Sequence, residues 1–313
     1  MVSGDIERFV GHELQIIFKK YKLPLPAVTD IKRLVKKSGA LFIYAATALR
    51  FIGDENVKNP QKQLAIIFDS RHDLNANPYH VLDTLYRQVL KKSIPQNKSI
   101  RKQIEKWNCD VVSVIVMLRE PLPLVALARF VGMETAETKN ALDSLQSVIH
   151  VPSSSKAANK APRIFHPSFI DFIKDKKRCT DKLFWVDGPV KETFLAKRCL
   201  KIMKQSLKRD MAGIKDGTVM NADVANLKGR VKKEIPNELR YACLHWASHI
   251  TAARDVGREC VSSLDEFTRR SLLSWMEAMS LLGEIRRAIL MLRDMRAWAV
   301  SVHWLHYAMI DSN

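Results

Sequence analysis

Apolar residues recur along most of this chain at intervals of three and four, which is the spacing of one face of an α-helix. The first such pattern starts near Asp5, a suitable N-cap residue. Its apolar face consists of Ile6, Phe9, Val10, Leu14 and Ile17. The later segment Ala40–Ile52 is apolar on nearly every side, which predicts a helix at the centre of a bundle.

The same spacing, ended by glycine, proline and polar turn residues, predicts helices over most of the remaining chain. They are expected at Thr29–Lys37, Gln61–Phe68, Pro78–Leu90, Ile104–Leu118, Leu122–Val131, Glu134–Gln146, Val190–Leu207, Leu239–Ile250, Leu264–Leu282 and Glu284–Ile310. The segment Gly213–Gly229 is polar and carries several weak helix breakers, so it is predicted to be a loop.

One region departs from the helical pattern. Val148–Pro152 is β-branched, Ser153–Pro162 is a polar loop, and a second strand follows at Arg163 before the next helix. Three helices precede this hairpin, and that order is typical of a winged helix-turn-helix. His166 is predicted to lie at the turn from the second strand into the helix.

The expected fold class is therefore mainly α: a helical bundle, a winged helix with one small β-hairpin, and a second helical domain. A chain of 313 residues has room for two or three cores. We place the domains at 1–98 (helical), 99–178 (winged helix) and 179–313 (second helical). Lys91–Lys98 is the predicted connector between the first two domains.

Cysteine usage and hydropathy indicate the environment of the protein. The five cysteines form no C-x-x-C pair, and the first residues lack the apolar stretch of a signal peptide. The longest apolar runs are shorter than the ~20 residues that span a bilayer. We therefore expect a soluble, reduced, cytoplasmic protein with no membrane partner.

The net charge of +18 raises the question of nucleic-acid binding. In a winged helix that reads DNA, the third helix enters the major groove. Here the candidate third helix has Glu134, Glu137 and Asp143 against one cation, Lys139. The other basic residues are dispersed in small clusters along the chain. Solvated helix faces explain this charge better than a nucleic-acid surface does.

Two motifs that could suggest nucleotide or metal chemistry are incomplete. Leu64–Asp69 resembles a Walker B strand, but the string G-x-x-x-x-G-K-[ST] of a P-loop is missing from the sequence. An amphipathic helix is the better interpretation of Leu64–Asp69. His245 and His249 have the spacing of zinc ligands, but Trp246 stands where H-E-x-x-H has glutamate. We predict no metal site there, and packing or surface roles for both histidines.

Two further groups of residues resemble functional sites only in part. Ser168, His166 and Asp171 are close in sequence but lack a nucleophile elbow and an oxyanion-hole glycine, so no catalytic residue is predicted. Four tryptophans could form a platform for stacked bases, but their apolar helical context favours core packing. They are Trp246, Trp275, Trp298 and Trp304.

Seven strings, in order along nearly the whole chain, resemble the NACHT-type STAND NTPases of fungi, relatives of the NLR immune receptors. They are DIERFVGHEL at Asp5–Leu14, SGALFIYAATA at Ser38–Ala48, LREPLPL at Leu118–Leu124, IFHPSFIDFI at Ile164–Ile173, LAKRCLKIM at Leu195–Met203, LRYACLHWASH at Leu239–His249 and LLSWMEAMSLLG at Leu272–Gly283.

The resemblance implies a regulatory part that follows a nucleotide-binding domain, whose Walker motifs would lie before Met1. It implies no ATPase activity and no cofactor for this chain alone, and ATP or ADP only with that upstream domain. His166 matches the winged-helix histidine that contacts the β-phosphate of ADP in related receptors. A capping or core histidine beside Pro167 is the alternative. Phe42 stands where related proteins have the proline of a glycine-leucine-proline motif that touches adenine.

The expected function is thus that of a non-catalytic regulatory fragment of an NLR-like signal-transduction ATPase, acting through contacts with protein partners or with the rest of a larger STAND protein. Two alternatives stay open. One is a nucleic-acid-binding winged helix that uses Lys156, Lys160 and Arg163. The other is a truncated, non-functional gene product. A truncated product would expose apolar surface in its first helical region, at Phe9, Leu14 and Phe42.

Overall fold

A computed structural model describes residues 2–69, 78–94, 109–152, 159–215 and 218–310. Over these ranges the protein is mainly helical, with one two-stranded antiparallel sheet, which confirms the predicted fold class. Strands β1 (Ile149–His150) and β2 (Arg163–Ile164) pair in the register Ile149 to Ile164 and His150 to Arg163.

The helices have these bounds: α1 Val2–Lys20, α2 Val28–Ser38, α3 Phe42–Ile52, α4 Pro60–Asp69, α5 Pro78–Lys92, α6 109–117 (described part), α7 Leu124–Val131, α8 Thr135–Asp143, α9 Pro167–Lys174, α10 Gly188–Ser206, α11 Leu227–Glu234, α12 Asn237–Ala252, α13 Gly257–Arg270, α14 Leu272–Leu281 and α15 Ile285–Ile310. Leu64–Asp69 thus lies in a helix, which confirms that interpretation over a Walker B strand.

The described chain forms two compact units. Unit 1 comprises Met1–Val116, Ala136–Ala157 and Ala161–Val186, and unit 2 comprises Met117–Thr135, Ala158–Lys160 and Asp187–Asn313. Unit 1 contains α8 and the hairpin, and unit 2 contains α7. The division into three domains at 98 and 178 stays a prediction.

The core of unit 1 is built around α3. Eight of the eleven residues of α3 are buried, as its uniformly apolar sequence predicts. Helix α1 packs on α2 and α3, and α3 also contacts α4 and α5. The apolar face predicted for α1 is the buried one, since Ile6, Val10 and Leu14 are inaccessible to solvent.

Two basic residues of α2 contact the C-terminal end of α4 within unit 1. Lys37 Nζ donates to the carbonyl of Ile67 at 2.7 Å, and the Arg33 guanidinium lies 4.3 Å from the centre of the Phe68 ring. The C-terminal end of a helix carries partial negative charge, so cations are stabilised there. Part of the positive charge of the chain is therefore used in intramolecular contacts.

Unit 2 is organised around the pair of α10 and α12, against which α13, α15 and α7 also pack. Its core holds a cluster of three aromatic rings from three helices. The Trp246 ring lies 4.9 Å from the ring of Phe267 and 5.8 Å from that of Trp275, measured between centroids. These rings join α12 to α13 and α14.

Two predictions for unit 2 were wrong in detail. The single helix expected at Leu264–Leu282 is interrupted at Ser271, where the backbone turns before α14 starts. This change of direction brings Phe267 and Trp275 to the same indole of Trp246. The predicted loop Gly213–Gly229 contains a 3₁₀ turn at Asn221–Asp223 and the first residues of α11.

The start of α11 also depends on a glycine that resembled a helix breaker. A Cβ atom at Gly229 would lie 2.5 Å from Oδ1 of Asn226. Gly229 therefore leaves room for the Asn226 side chain at the first turn of the helix.

Candidate functional site

His166 lies where β2 meets α9, as predicted, and its side chain is exposed. It is the N-cap of α9: its Nδ1 accepts a hydrogen bond from the backbone N–H of Ser168 at 3.1 Å. The lone pair of Nδ1 is thereby occupied, so the neutral imidazole carries its proton on Nε2. The capping role named as an alternative is present, and it leaves Nε2 as a hydrogen-bond donor.

The cap continues into a chain of hydroxyl groups. Ser168 Oγ lies 2.8 Å from His166 Nδ1 and 2.8 Å from the Tyr86 hydroxyl. Tyr86 is buried and packs edge-on against Phe169 of α9, at 5.2 Å between ring centroids. The position of the imidazole is therefore tied to the core of unit 1 through Ser168 and Tyr86.

A cavity of about 530 Å³ in unit 1 is lined by Phe165, the neighbour of His166, together with Phe9, Arg50 and His150. The Arg50 guanidinium lies 3.8 Å from the centre of the Phe165 ring, in a cation–π contact. Among the described residues, Arg50 Nη1 is buried without a hydrogen-bond partner, and burial lowers the pKa of the group.

Phe42, the other predicted site residue, is at the start of α3 and is 52% exposed. Its ring contacts that of Phe9 at 4.6 Å, and Phe9 also lines the cavity beside Phe165. Of the three residues expected to be exposed in a truncated product, Phe42 is exposed, Phe9 is half-buried and Leu14 is completely buried. The two predicted site residues make separate contacts. The ring of Phe42 packs on Phe9, and His166 hydrogen-bonds to Ser168.

A second polar cluster, which the sequence did not predict, is buried in unit 2. His249, which has no exposed surface, places Nδ1 2.5 Å from Oε2 of Glu192 and Nε2 2.8 Å from the Tyr241 hydroxyl. Arg119 donates a guanidinium N–H to the other carboxylate oxygen of Glu192 at 2.8 Å. The backbone N–H of Arg119 also donates to the Tyr241 hydroxyl at 3.0 Å, which closes a ring of hydrogen bonds.

The proton positions in this ring follow from its acceptors. The Glu192 carboxylate can only accept, so Nδ1–H of His249 donates to it, and Nε2 of the neutral imidazole then accepts the Tyr241 O–H, whose oxygen accepts from Arg119 N–H. Burial alone would raise the pKa of Glu192, but the hydrogen bonds from His249 and Arg119 and the positive charge of Arg119 outweigh it and hold the pKa below its usual value. The Glu192 and His249 side chains are buried, and each polar atom that links the four residues has a partner, so the cluster is suited to a structural role.

His245 lies one turn before His249 on α12 and is also buried. Its Nδ1 is 3.2 Å from Nη2 of Arg287, and its Nε2 is 3.2 Å from Oε1 of Glu120. Burial, followed by the positive charge of Arg287, lowers the pKa of His245 to about 4.

We expect this lowered pKa to make the protein less stable in mild acid. Between pH 6.5 and about 4 the unfolded chain binds a proton at His245 that the folded chain does not, so the free energy of unfolding falls as the pH decreases. The contribution should reach about 2–3 kcal/mol near the lower limit. Urea unfolding of His245→Gln at several pH values should show a shallower pH dependence than wild type. The exposed control His12→Gln should keep the wild-type slope, and equal slopes for all three proteins would contradict the prediction.

The other residues that the sequence singled out are the four tryptophans and the three basic residues of the hairpin. Trp246 and Trp275 are core residues, Trp298 is half-buried, and the Trp304 side chain lies outside the described residues. Lys160 and Arg163 are exposed, and Lys156 lies outside the described residues. Within the described ranges, histidine, cysteine and carboxylate side chains form no group of three that could hold a metal ion.

Fold and site together define a mainly α protein with one small hairpin, followed by an exposed histidine that caps the next helix. No protein-family model, curated protein or solved structure matches the chain significantly. Among the described helices, none is long and apolar enough to cross a membrane.

Proposed function

We propose that this chain is the non-catalytic, regulatory helical and winged-helix part of an NLR-like STAND NTPase, acting in the cytoplasm through protein contacts. One observation carries the proposal. His166 is held by its Nδ1 at the end of the hairpin, and its side chain is exposed and keeps Nε2–H as a donor. A fixed donor at this position suits contact with a phosphate oxygen of a nucleotide held by a separate P-loop domain.

Phe42 supports the proposal in a weaker way. An exposed aromatic ring that rests on Phe9 can cover the face of an adenine base, even though it cannot reproduce the contact of a proline. ATP or ADP is then a ligand of the complete switch. This chain supplies the contacts that distinguish its states, and it needs no catalytic residue of its own.

The first test is to read the codons in frame upstream of Met1 in the native transcript and to express the complete product if they encode a P-loop. In that product, His166→Asn should accelerate release of bound ADP by about tenfold or more, since one charge-assisted hydrogen bond is lost. Asparagine retains an acceptor for the N-cap but lacks Nε2. The exposed control His80→Ala should leave the release rate unchanged.

Three results would contradict the proposal: a native transcript without P-loop codons, ADP release from His166→Asn at the wild-type rate, and magnesium-dependent ATP hydrolysis by the pure 313-residue chain. Duplex DNA binding that is steeply salt-dependent and is lost on replacing Lys156, Lys160 and Arg163 with alanine would instead favour the nucleic-acid alternative.

A further inference from the structure

A groove of about 750 Å³ in unit 2 has an apolar floor. It lies between α7, α11, the start of α12 and the end of α14. Apolar side chains from three of these helices line it and remain partly exposed: Val125, Leu227, Val231, Leu281 and Leu282. Several partly exposed apolar groups in one concave surface are characteristic of a binding groove.

Helix α11 is an unusual wall for such a groove, because none of its eight residues is buried. Leu227 and Val231 are one turn apart on the same side and both line the groove. An isolated helix of this length is marginal in water, and most helix stability comes from packing of the apolar side. A partner that covers Leu227 and Val231 would complete the packing of α11.

The rim of the groove is positively charged. Arg129, Lys228, Lys232 and Arg240 line it, and the carboxylate among the lining residues, Glu238, already pairs with Arg129 at 3.0 Å. Lys228, Lys232 and Arg240 have no ion pair or side-chain hydrogen bond to another residue within the described ranges. As far as the described residues show, these three cations at the rim of an apolar groove have no counter-charge.

The neighbouring groove between α10 and α13 provides a comparison. It also carries lysines, but Lys197 pairs with Glu259 and Lys204 pairs with Glu266 across its opening. Two of the cations in this second groove are therefore neutralised by carboxylates that also line it, whereas in the first groove only Arg129 has such a pair among the described residues.

We propose that the groove of α7, α11 and α14 binds an acidic, amphipathic helical segment of a partner protein. Its apolar side chains would lie on Leu227, Val231 and Leu281, and its carboxylates would pair with Lys228, Lys232 and Arg240. An apolar floor matches a peptide better than a phosphate backbone, and a concave surface matches a helix better than a lipid bilayer. This inference rests on the part of the proposed function that concerns protein contacts, and it is independent of His166.

The test uses the complete chain and a fluorescein-labelled helical peptide of about 14 residues, or four turns, with leucine at intervals of three and four and glutamate elsewhere. A peptide with lysine in place of glutamate is the matched control. Fluorescence anisotropy at about 0.15 M salt should show saturable binding of the glutamate peptide only. Lys232→Glu combined with Arg240→Glu should weaken binding at least about tenfold, and so should Val231→Asp. Arg258→Glu, an equally exposed charge reversal on α13, should change the affinity by less than about twofold.

Circular dichroism of each variant tests whether the fold is intact. We expect it to be, because Lys232 and Arg240 are exposed and Val231 is partly exposed. The proposal is overturned if the glutamate peptide does not bind saturably, or if it binds wild type and the groove variants equally. The proposal would also be overturned if duplex DNA or anionic vesicles bound in place of the peptide and the same variants abolished that binding. The surface would then be assigned to that ligand. Failure here leaves the ADP-release test of His166 unaffected, because that test involves neither the peptide nor the groove.

Discussion

Replacing Glu192 with alanine should lower the free energy of unfolding by about 3–5 kcal/mol. The substitution removes the acceptor for both His249 Nδ1–H and the Arg119 guanidinium, in a region where the Glu192 side chain is 6% exposed and that of His249 is 0% exposed. The loss arises mainly because His249 Nδ1–H is left buried without an acceptor, while the Arg119 guanidinium, which is 34% exposed, loses its carboxylate. Urea unfolding followed by tryptophan fluorescence measures it.

The matched control is Glu259→Ala, which breaks the pair of Glu259 with Lys197 on the surface of the same unit. The Glu259 side chain is 79% exposed, so solvent screens its ion pair and the loss should be much smaller than that of Glu192→Ala. Equal losses for the two variants would show that the buried ring of hydrogen bonds contributes little. Glu192→Gln, which keeps the size of the side chain but not its charge, should give an intermediate loss.

Replacing Trp275 with alanine should destabilise the protein by about 3–5 kcal/mol. Trp275 is fully buried, its ring contacts Trp246 and Phe267, and its Nε1 donates to the carbonyl of Cys243 at 3.0 Å. The substitution leaves a cavity where α12, α13 and α14 meet and removes the hydrogen bond of the indole to the Cys243 carbonyl. Equilibrium unfolding in urea, followed by far-ultraviolet circular dichroism, measures the effect.

Leu273, two residues earlier on the same helix, supplies the control because it is 80% exposed. Leu273→Ala should change the free energy of unfolding by less than about 0.5 kcal/mol. Trp275→Phe should lose less than Trp275→Ala, since it fills part of the cavity but lacks the indole N–H. Similar effects for Trp275→Ala and Leu273→Ala would mean that the aromatic cluster is not a main source of stability.

Much of the fold could be predicted because the helices of this chain keep a clear apolar face. Helix α1 shows this directly, since Ile6, Val10 and Leu14 are the residues it buries. The break at Ser271 was missed because apolar spacing is helical on both sides of it, and periodicity does not report a change of direction. Helix α11 was missed because only Leu227 and Val231 mark its face, and Gly229 lies between them.

The place of His166 in the fold was predicted, but its hydrogen bonds were not. The change from strand to helical spacing placed His166 between β2 and α9, whereas the role of Nδ1 as the N-cap acceptor depends on backbone geometry. The contact of Glu192 with His249 depends on how α10 packs on α12, which the sequence does not specify. The spacing of Tyr241, His245 and His249 by four residues was the available signal, since it places three polar side chains on one face of a buried helix.

The closed ring of Arg119, Glu192, Tyr241 and His249 also determines how α10 and α12 are aligned along their axes. Apolar packing tolerates a slide of one helix past another, because one leucine can replace its neighbour in the same gap. Hydrogen bonds fixed in direction at Glu192 and at His249 are satisfied in only one axial alignment. We therefore expect that replacing the whole ring with apolar residues of matched volume would retain stability and lose uniqueness, so that α10 and α12 would sample more than one alignment.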